Sequence, residues 1–413
     1  MAGVAHELTE PEVLAHTKRR LFPDDADAGY AVVDTQFATD RWLADGHVDA
    51  AVRDALSPFN HVRVGSGYPD LVGVSVLGDD LLAVDRLGDD PPLVAVEAKG
   101  HTQTGSVDVE RGIVQAYDRL HEANAAYVAA PEIAVSQSVR TLARELNVGV
   151  LGVSADGSVE PIEVPRLIGT QTTTATQAIR LQASAQGVAD KSFGLNHPKN
   201  YLAYPLAVYH PEETATVLAE RVVRAVDSAR QGARFLDLVD DHPSGDRLTQ
   251  LGREVVRFAH REYGSVDAAL AAFADWKRSR RRYCDLAPRW GQLTRRVVFA
   301  YPATQLLVSE LQRLHEDGSS EPSLAEFVEY LHALHPSFAV ELFFRGDDDV
   351  RRRVLTPDGD LRREALADGD VYHSPTVFQL KAMLFHAGVL SDRGSEPSNL
   401  DPETDVWALR EPI

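Results

Sequence analysis

The chain is 413 residues long, 44% hydrophobic and 25% charged, with a formal net charge of −20. That is the composition of a folded soluble protein, too long for one ordinary core, and acidic enough to repel nucleic acid at long range. A single cysteine, Cys284, excludes an internal disulfide and a multi-cysteine zinc site.

No run approaches the length of a membrane span, and the opening MAGVAHELTEPE lacks a basic-then-apolar pattern. The expectation is a cytoplasmic protein with no membrane partner. Acids are spread along the chain, and only six of the 42 basic residues are lysine. This is a halophilic pattern, in which a carboxylate-rich surface stays dissolved in concentrated salt. Such salt screens fields within a few ångströms, so local basic clusters count for more than the total charge.

In chain order, Thr9-E-P-Glu12 has capping-box spacing with Pro11 early, and opens a helix to about Phe22. Tyr30-AVVDTQ reads as a strand, Arg41 to Leu56 as helical, and His61-VRVGSG as a short extended piece. Leu71-VGVSVL, Leu81-LAVDRL and Leu93-VAVEAK are valine- and leucine-rich, are bounded by Gly, Asp and Pro, and read as strands. Helices over Val107 to Ala123 and Ile133 to Leu146 alternate with strands at Ala125-AYVAAP and Val148-GVLGV. An antiparallel meander followed by βαβ units predicts an α/β domain, a mixed sheet flanked by helices, over residues 1–165.

Residues 166–199, rich in Thr, Gln, Ala and Ser, read as a connecting region, and residues 200–413 as a mainly helical one. Two of its segments resemble winged helices: Arg247-LTQLGREVVRFAH, and Ser374-PTVFQLKAMLFHAGVL with a candidate wing ending in Val406-WALRE. Lys277-RSRRRYCDLAPRWGQLTRR holds eight basic residues and one acid, with Tyr283 and Trp290 interleaved and Trp276 just before. Arginine suits phosphate, and aromatics can stack on bases or simply pack, so Lys277, Arg278, Arg280, Arg281, Arg282, Arg295 and Arg296 are candidate nucleic-acid contacts. The alternative is a helix whose arginines pair with surface carboxylates.

Alternate side chains of a strand share a face, so Glu97 and Lys99 point one way and Val94, Val96 and Ala98 the other. A carboxylate can bind a hard divalent cation while the ammonium holds a water or offsets phosphate charge. Asp70, directly after Pro69 at the start of a neighbouring strand, is the candidate second acid. The competing reading is a surface ion pair on an edge strand, which needs neither a second acid nor a following helix.

Pro69-Asp70, then Glu97-Ala98-Lys99 after twenty-six residues, resembles the PD-(D/E)XK nuclease superfamily. Val62-RVGSGYPDLVGV followed by Val94-AVEAKG is similar to archaeal Holliday-junction resolvases and restriction-endonuclease-like proteins. The resemblance implies a restriction-endonuclease-like core and a metal-dependent DNA endonuclease. Mg²⁺ or Mn²⁺ would be held by Asp70, Glu97 and the Ala98 carbonyl, with Lys99 orienting the water. It also implies a glutamine on the following helix, matched by Gln115 in Arg111-GIVQAYDRL, although Gln-x-Tyr departs from the spacing of the RecB-like branch. Glu10 and Glu12 are the candidates for an additional acid in the first helix, and the capping box already accounts for Glu12. The expected role is restriction or anti-phage defence, then DNA repair or recombination. Cutting both strands is most simply done by two active sites, which fits a homodimer. The rival expectation is a non-catalytic winged-helix DNA-binding regulator with a vestigial nuclease fold.

Overall fold

The computed structural model describes residues 7–23, 29–42, 46–83, 91–101, 106–166, 179–181, 183, 192–243, 245–273 and 281–412. The chain forms two compact units, one of residues 1–185 with 334–338, the other of 186–333 with 339–413. The chain passes from the first unit to the second after residue 185 and returns to the first for residues 334–338.

The first unit is built on a six-stranded mixed sheet in the order β1 (Tyr30–Val33), β2 (Leu71–Val74), β3 (Leu93–Ala98), β4 (Ala125–Pro131), β5 (Gly149–Val153) and β6 (Val159–Glu163). The first three strands form an antiparallel meander; β3, β4 and β5 run parallel; β6 returns antiparallel. Helices α1 (Glu10–Leu21) and α2 (Ala50–Leu56) cover one face. Helices α3 (Val109–Arg119) and α4 (Gln137–Glu145) cover the other. They do so because the strands alternate. Val94, Val96 and Ala98 pack with Val13 and Leu14 of α1, while Val128 and Val150 pack with Ile113 of α3 and Val139 of α4. Central strands buried on both faces read as apolar runs, and β4 is buried at all seven positions.

Local chemistry sets the ends of these elements. The Glu12 carboxylate accepts from the Thr9 backbone N–H and hydroxyl, both at 2.7 Å, closing the start of α1. Asp49 caps α2 by accepting from Ala51 N–H at 2.8 Å. The helix expected from Arg41 therefore begins only at Ala50. Leu81 to Ala83, expected as part of a strand, form a turn instead, and Val84 to Leu87 lie outside the described residues. The Leu81 N–H is taken by the Gly78 carbonyl at 2.9 Å and its carbonyl by the Tyr127 hydroxyl at 2.6 Å, so neither joins a ladder. Strand β6 was not anticipated. It carries Pro161, which cannot donate to a ladder and so suits an edge. The return of residues 334–338 was equally hidden. The Leu334 carbonyl accepts from His61 N–H at 2.8 Å, and Phe338 N–H donates to Asn60 Oδ1 at 3.2 Å.

The second unit is mainly helical, and its described strands pair as one two-stranded ribbon, Val239–Asp240 with Arg247–Leu248. That ribbon precedes the helix Gln250–Tyr263. The segment after His386 makes single bridges, Leu390 with Leu409, and Val406 with Ser323, and it seats Trp407 against Phe327 and Phe343. Among the described residues no helix is long and apolar enough to cross a membrane.

Candidate active site

Pro69 has no N–H to give, and the chain enters β2 at Asp70, immediately before the first ladder residue. In the register, Leu71 lies opposite Val33 on one side and opposite Val96 on the other. One residue along, Asp34, Asp70 and Glu97 form a row across three adjacent strands on the α3 side of the sheet. The Asp34 N–H bond to the Asp70 carbonyl, 3.0 Å, fixes the first pair.

All three acids are buried, at 6%, 4% and 2% exposure for Asp34, Asp70 and Glu97. The charged pair does not lie on an edge strand, since β3 is the third of six, and within it Glu97 is buried and Lys99 half-buried. Asp70 Oδ1 accepts from Gln36 Nε2 at 2.9 Å, and its Oδ2 accepts from Ala98 N–H at 2.8 Å. Glu97 Oε1 accepts from Arg119 Nε at 2.9 Å. Lys99 Nζ stands 3.9 Å from Asp70 Oδ2 and 3.9 Å from Glu97 Oε2, too far to donate to either, and donates instead to the Ala98 carbonyl at 2.7 Å.

Two glycines permit this approach. A Cβ on Gly112 would lie 2.7 Å from Val128 Cγ2 and 3.0 Å from Lys99 Cγ, so α3 can lie on the lysine stem only without it. A Cβ on Gly100 would lie 2.1 Å from the Glu10 nitrogen. The start of α1 therefore rests directly on the end of β3, and Glu10 accepts from Gly100 N–H within reach of the charges of Asp70, Lys99 and Glu97.

The electrostatics follow from this crowding. Burial and then Asp70 push Glu10 up to about 7, and the same two causes push Glu97 up to about 7. Burial also raises Asp70, against the pull of Lys99. Lys99 and Arg119 do not offset the acids around them. The site holds surplus negative charge out of water, and a further positive charge is what it lacks.

The donor set fits a small hard cation. Asp70, Glu97 and the Ala98 carbonyl offer oxygen only, the chemistry of Mg²⁺ or Mn²⁺. Gln115 adds an orphaned acceptor. Its Oε1 is enclosed and has no hydrogen-bond partner among the described residues, one turn from Gly112 and one turn from Arg119, the residues of α3 that meet Lys99 and Glu97. Among the described residues no three His, Cys, Asp or Glu side chains are grouped closely enough to hold a metal by themselves. A cation here would rest on two carboxylates, a carbonyl and retained water, the mode Mg²⁺ favours.

The sequence reading of this region put forward Asp70, Glu97, Ala98, Lys99, Gln115 and Glu10; the structure brings Asp70, Glu97, Lys99 and Glu10 together and sets Gln115 on the helix that meets Lys99 and Glu97. It passed over Asp34, His61 and the Arg119–Glu97 bond. Asp34 follows an apolar strand end as Asp70 precedes one, a symmetry that a paired register would have revealed. The long connection between β1 and β2 hides that register.

The basic segment is different. Lys277, Arg278, Arg280 and Trp276 lie outside the described residues. Arg281 is exposed. Arg282 donates to the Ser391 carbonyl and lies 4.5 Å over the Phe385 ring, and Arg295 donates to the Gly388 carbonyl at 2.8 Å. Arg296 pairs with Glu254 at 2.6 Å. Of the two roles open to Tyr283 and Trp290, stacking on bases or packing, both rings take the second: they are core residues with 0% and 1% exposure, and Trp290 Nε1 donates to the Tyr263 hydroxyl at 2.8 Å. Their apolar area is better used in packing than left in water.

No family model matches the chain, and neither the curated proteins nor the solved structures contain a match to it.

Proposed function

We propose that the first unit is a divalent-metal-dependent nuclease of restriction-endonuclease-like design that hydrolyses phosphodiester bonds in DNA. One observation carries the reading: two buried acids from neighbouring strands flank a lysine 3.9 Å from each, and among the described residues no carboxylate is hydrogen-bonded to that lysine. An ion pair built for stability would close to contact distance; this one leaves room between its members.

Asp70, Glu97 and the Ala98 carbonyl would hold the cation, which when bound supplies charge to a phosphate oxygen and acidifies water. Lys99 orients the water and offsets the charge that gathers on the phosphate in the transition state. Arg119 keeps Glu97 facing the site through its Nε bond. Glu10, with a proton affinity near neutrality, receives the proton of the attacking water. The second unit would bring the DNA, with Arg281 and the exposed Arg296 as phosphate contacts and its helix-and-bridge segments acting as winged helices.

The test is cleavage of supercoiled plasmid with Mg²⁺ or Mn²⁺, in molar KCl as well as dilute buffer, beside Asp70→Ala and Lys99→Ala. The expected result is metal-dependent cutting by the wild type, lost about 10²–10³-fold or more in both variants while DNA binding survives. Cutting that persists in both variants refutes the assignment. Retarded DNA mobility without cutting, in the wild type, favours the regulator instead.

A further inference from the structure

On the reading of the site as a phosphodiester hydrolase, the structure leaves Asp34 and His61 unexplained. Asp34 is the first acid of the row, next to Asp70 and away from Glu97. Both its oxygens are committed: Oδ1 accepts from Gln36 N–H at 3.0 Å, and Oδ2 lies 2.7 Å from His61 Nδ1. The Gln36 side chain bonds Asp70 Oδ1 at 2.9 Å, so one hydrogen-bonded path runs from Asp70 through Gln36 and Asp34 to an imidazole. The ring is fixed from two further directions. It stacks on Tyr68 with centroids 3.5 Å apart and planes 19° apart, and its backbone N–H is held by the Leu334 carbonyl at 2.8 Å. Its side chain keeps 25% exposure, and among the described residues Nε2 has no partner.

A carboxylate on one ring nitrogen, a locked ring plane and a free second nitrogen are the elements of a proton-transfer histidine. Placement decides which proton. In-line displacement at phosphorus puts the entering and leaving oxygens on opposite sides. Glu97, Lys99 and Glu10 lie on the β3 side of Asp70, and Asp34 with His61 on the β1 side.

We infer that His61, positioned by Asp34, is the general acid that protonates the leaving oxygen. The water oxygen forms the new bond to phosphorus and its proton passes to Glu10. The bond from phosphorus to the leaving oxygen breaks, its electron pair stays on that oxygen, and the proton on His61 Nε2 neutralises it. Solvent then returns a proton to His61 and takes one from Glu10. No oxidant or further co-reactant enters.

The experiment compares two duplexes, one natural and one with sulfur replacing the leaving oxygen at a mapped wild-type cut. A thiolate leaves without protonation. His61→Gln and Asp34→Asn should cut the natural duplex about 10²–10⁴-fold more slowly than wild type, yet cut the sulfur duplex within a few-fold of it. Lys99→Ala, which acts on the entering side, should lose both. Because each variant is judged by the ratio of two rates on one preparation, a partly folded sample does not mimic the result. Equal slowing on both duplexes, or none on either, overturns the role of His61 while leaving the hydrolase reading intact. A wild type that cuts neither duplex removes that reading, and this inference with it.

Discussion

Two lysines, one in each unit, show what charge does when it is balanced and when it is not. Lys381 has 0% exposure; its Nζ lies 2.9 Å from Asp405 Oδ1 and 5.4 Å from the Trp407 ring centroid. Trp407 Nε1 completes the set by donating to Asp405 Oδ2 at 3.0 Å. Cation and anion touch, their remaining groups are satisfied, and the cluster ties the C-terminal segment to its helices. Lys99 stands instead among Glu10, Asp70 and Glu97, touches none of the two that flank it at 3.9 Å, and leaves the acids with raised proton affinities. Closed pairs build structure. An open, unbalanced group is costly to fold around and is retained where something else is to enter.

The contrast predicts opposite costs for the two lysines. Lys99→Ala should lower cleavage about 10²–10³-fold. Lys381→Met should leave cleavage per folded molecule unchanged but remove roughly 3–5 kcal/mol of stability, because Asp405 is left buried without its partner. Denaturant melts beside rate measurements check both. A Lys99 variant that unfolds as readily as the Lys381 variant would erase the distinction.

A second consequence concerns pH. Glu10 and Glu97 have folded values near 7, above the ordinary 4.5. The folded state therefore holds protons that the unfolded chain has released. Their contribution is full below about pH 4.5 and is lost as pH rises through 7, so the metal-free protein should melt lower at pH 8 than at pH 5.5. Mg²⁺ should raise the melting temperature more at pH 8 than at pH 5.5, and Glu97→Gln should melt higher than wild type at pH 8 without metal while failing to cut. A thermal shift indifferent to pH and to Mg²⁺ would contradict the charge surplus.

A smaller effect belongs to Gly112→Ala. The added methyl meets Val128 and the Lys99 stem at 2.7 and 3.0 Å, which should cost about 1–3 kcal/mol and slow cleavage without abolishing it. Smallest of all is Arg296→Ala, an exposed pair with Glu254 whose loss should change stability by no more than about 1 kcal/mol.

What the sequence disclosed follows the same division. Strand alternation is a local rule, so Glu97 and Lys99 could be placed on one face from β3 and the residue after it, and the apolar runs marked the strands of the central sheet. Asp70 was reached because Pro69 marks a strand start. Asp34 and His61 depend on a register set by a long connection and on a return from residues 334–338, and nothing local announces either. Tyr283 and Trp290 were ambiguous for the converse reason: their arginine neighbours suit a binding surface as well as a packed helix, and three-dimensional packing commits both rings to the core.

The most direct test is calorimetric titration of Mn²⁺ into metal-free protein at pH 8. The account predicts specific binding in the wild type, its loss in Asp70→Asn and in Glu97→Gln, and its retention in Lys99→Ala, where an ammonium no longer competes for the same oxygens. Absence of binding in the wild type, or equal binding in all four proteins, would contradict it.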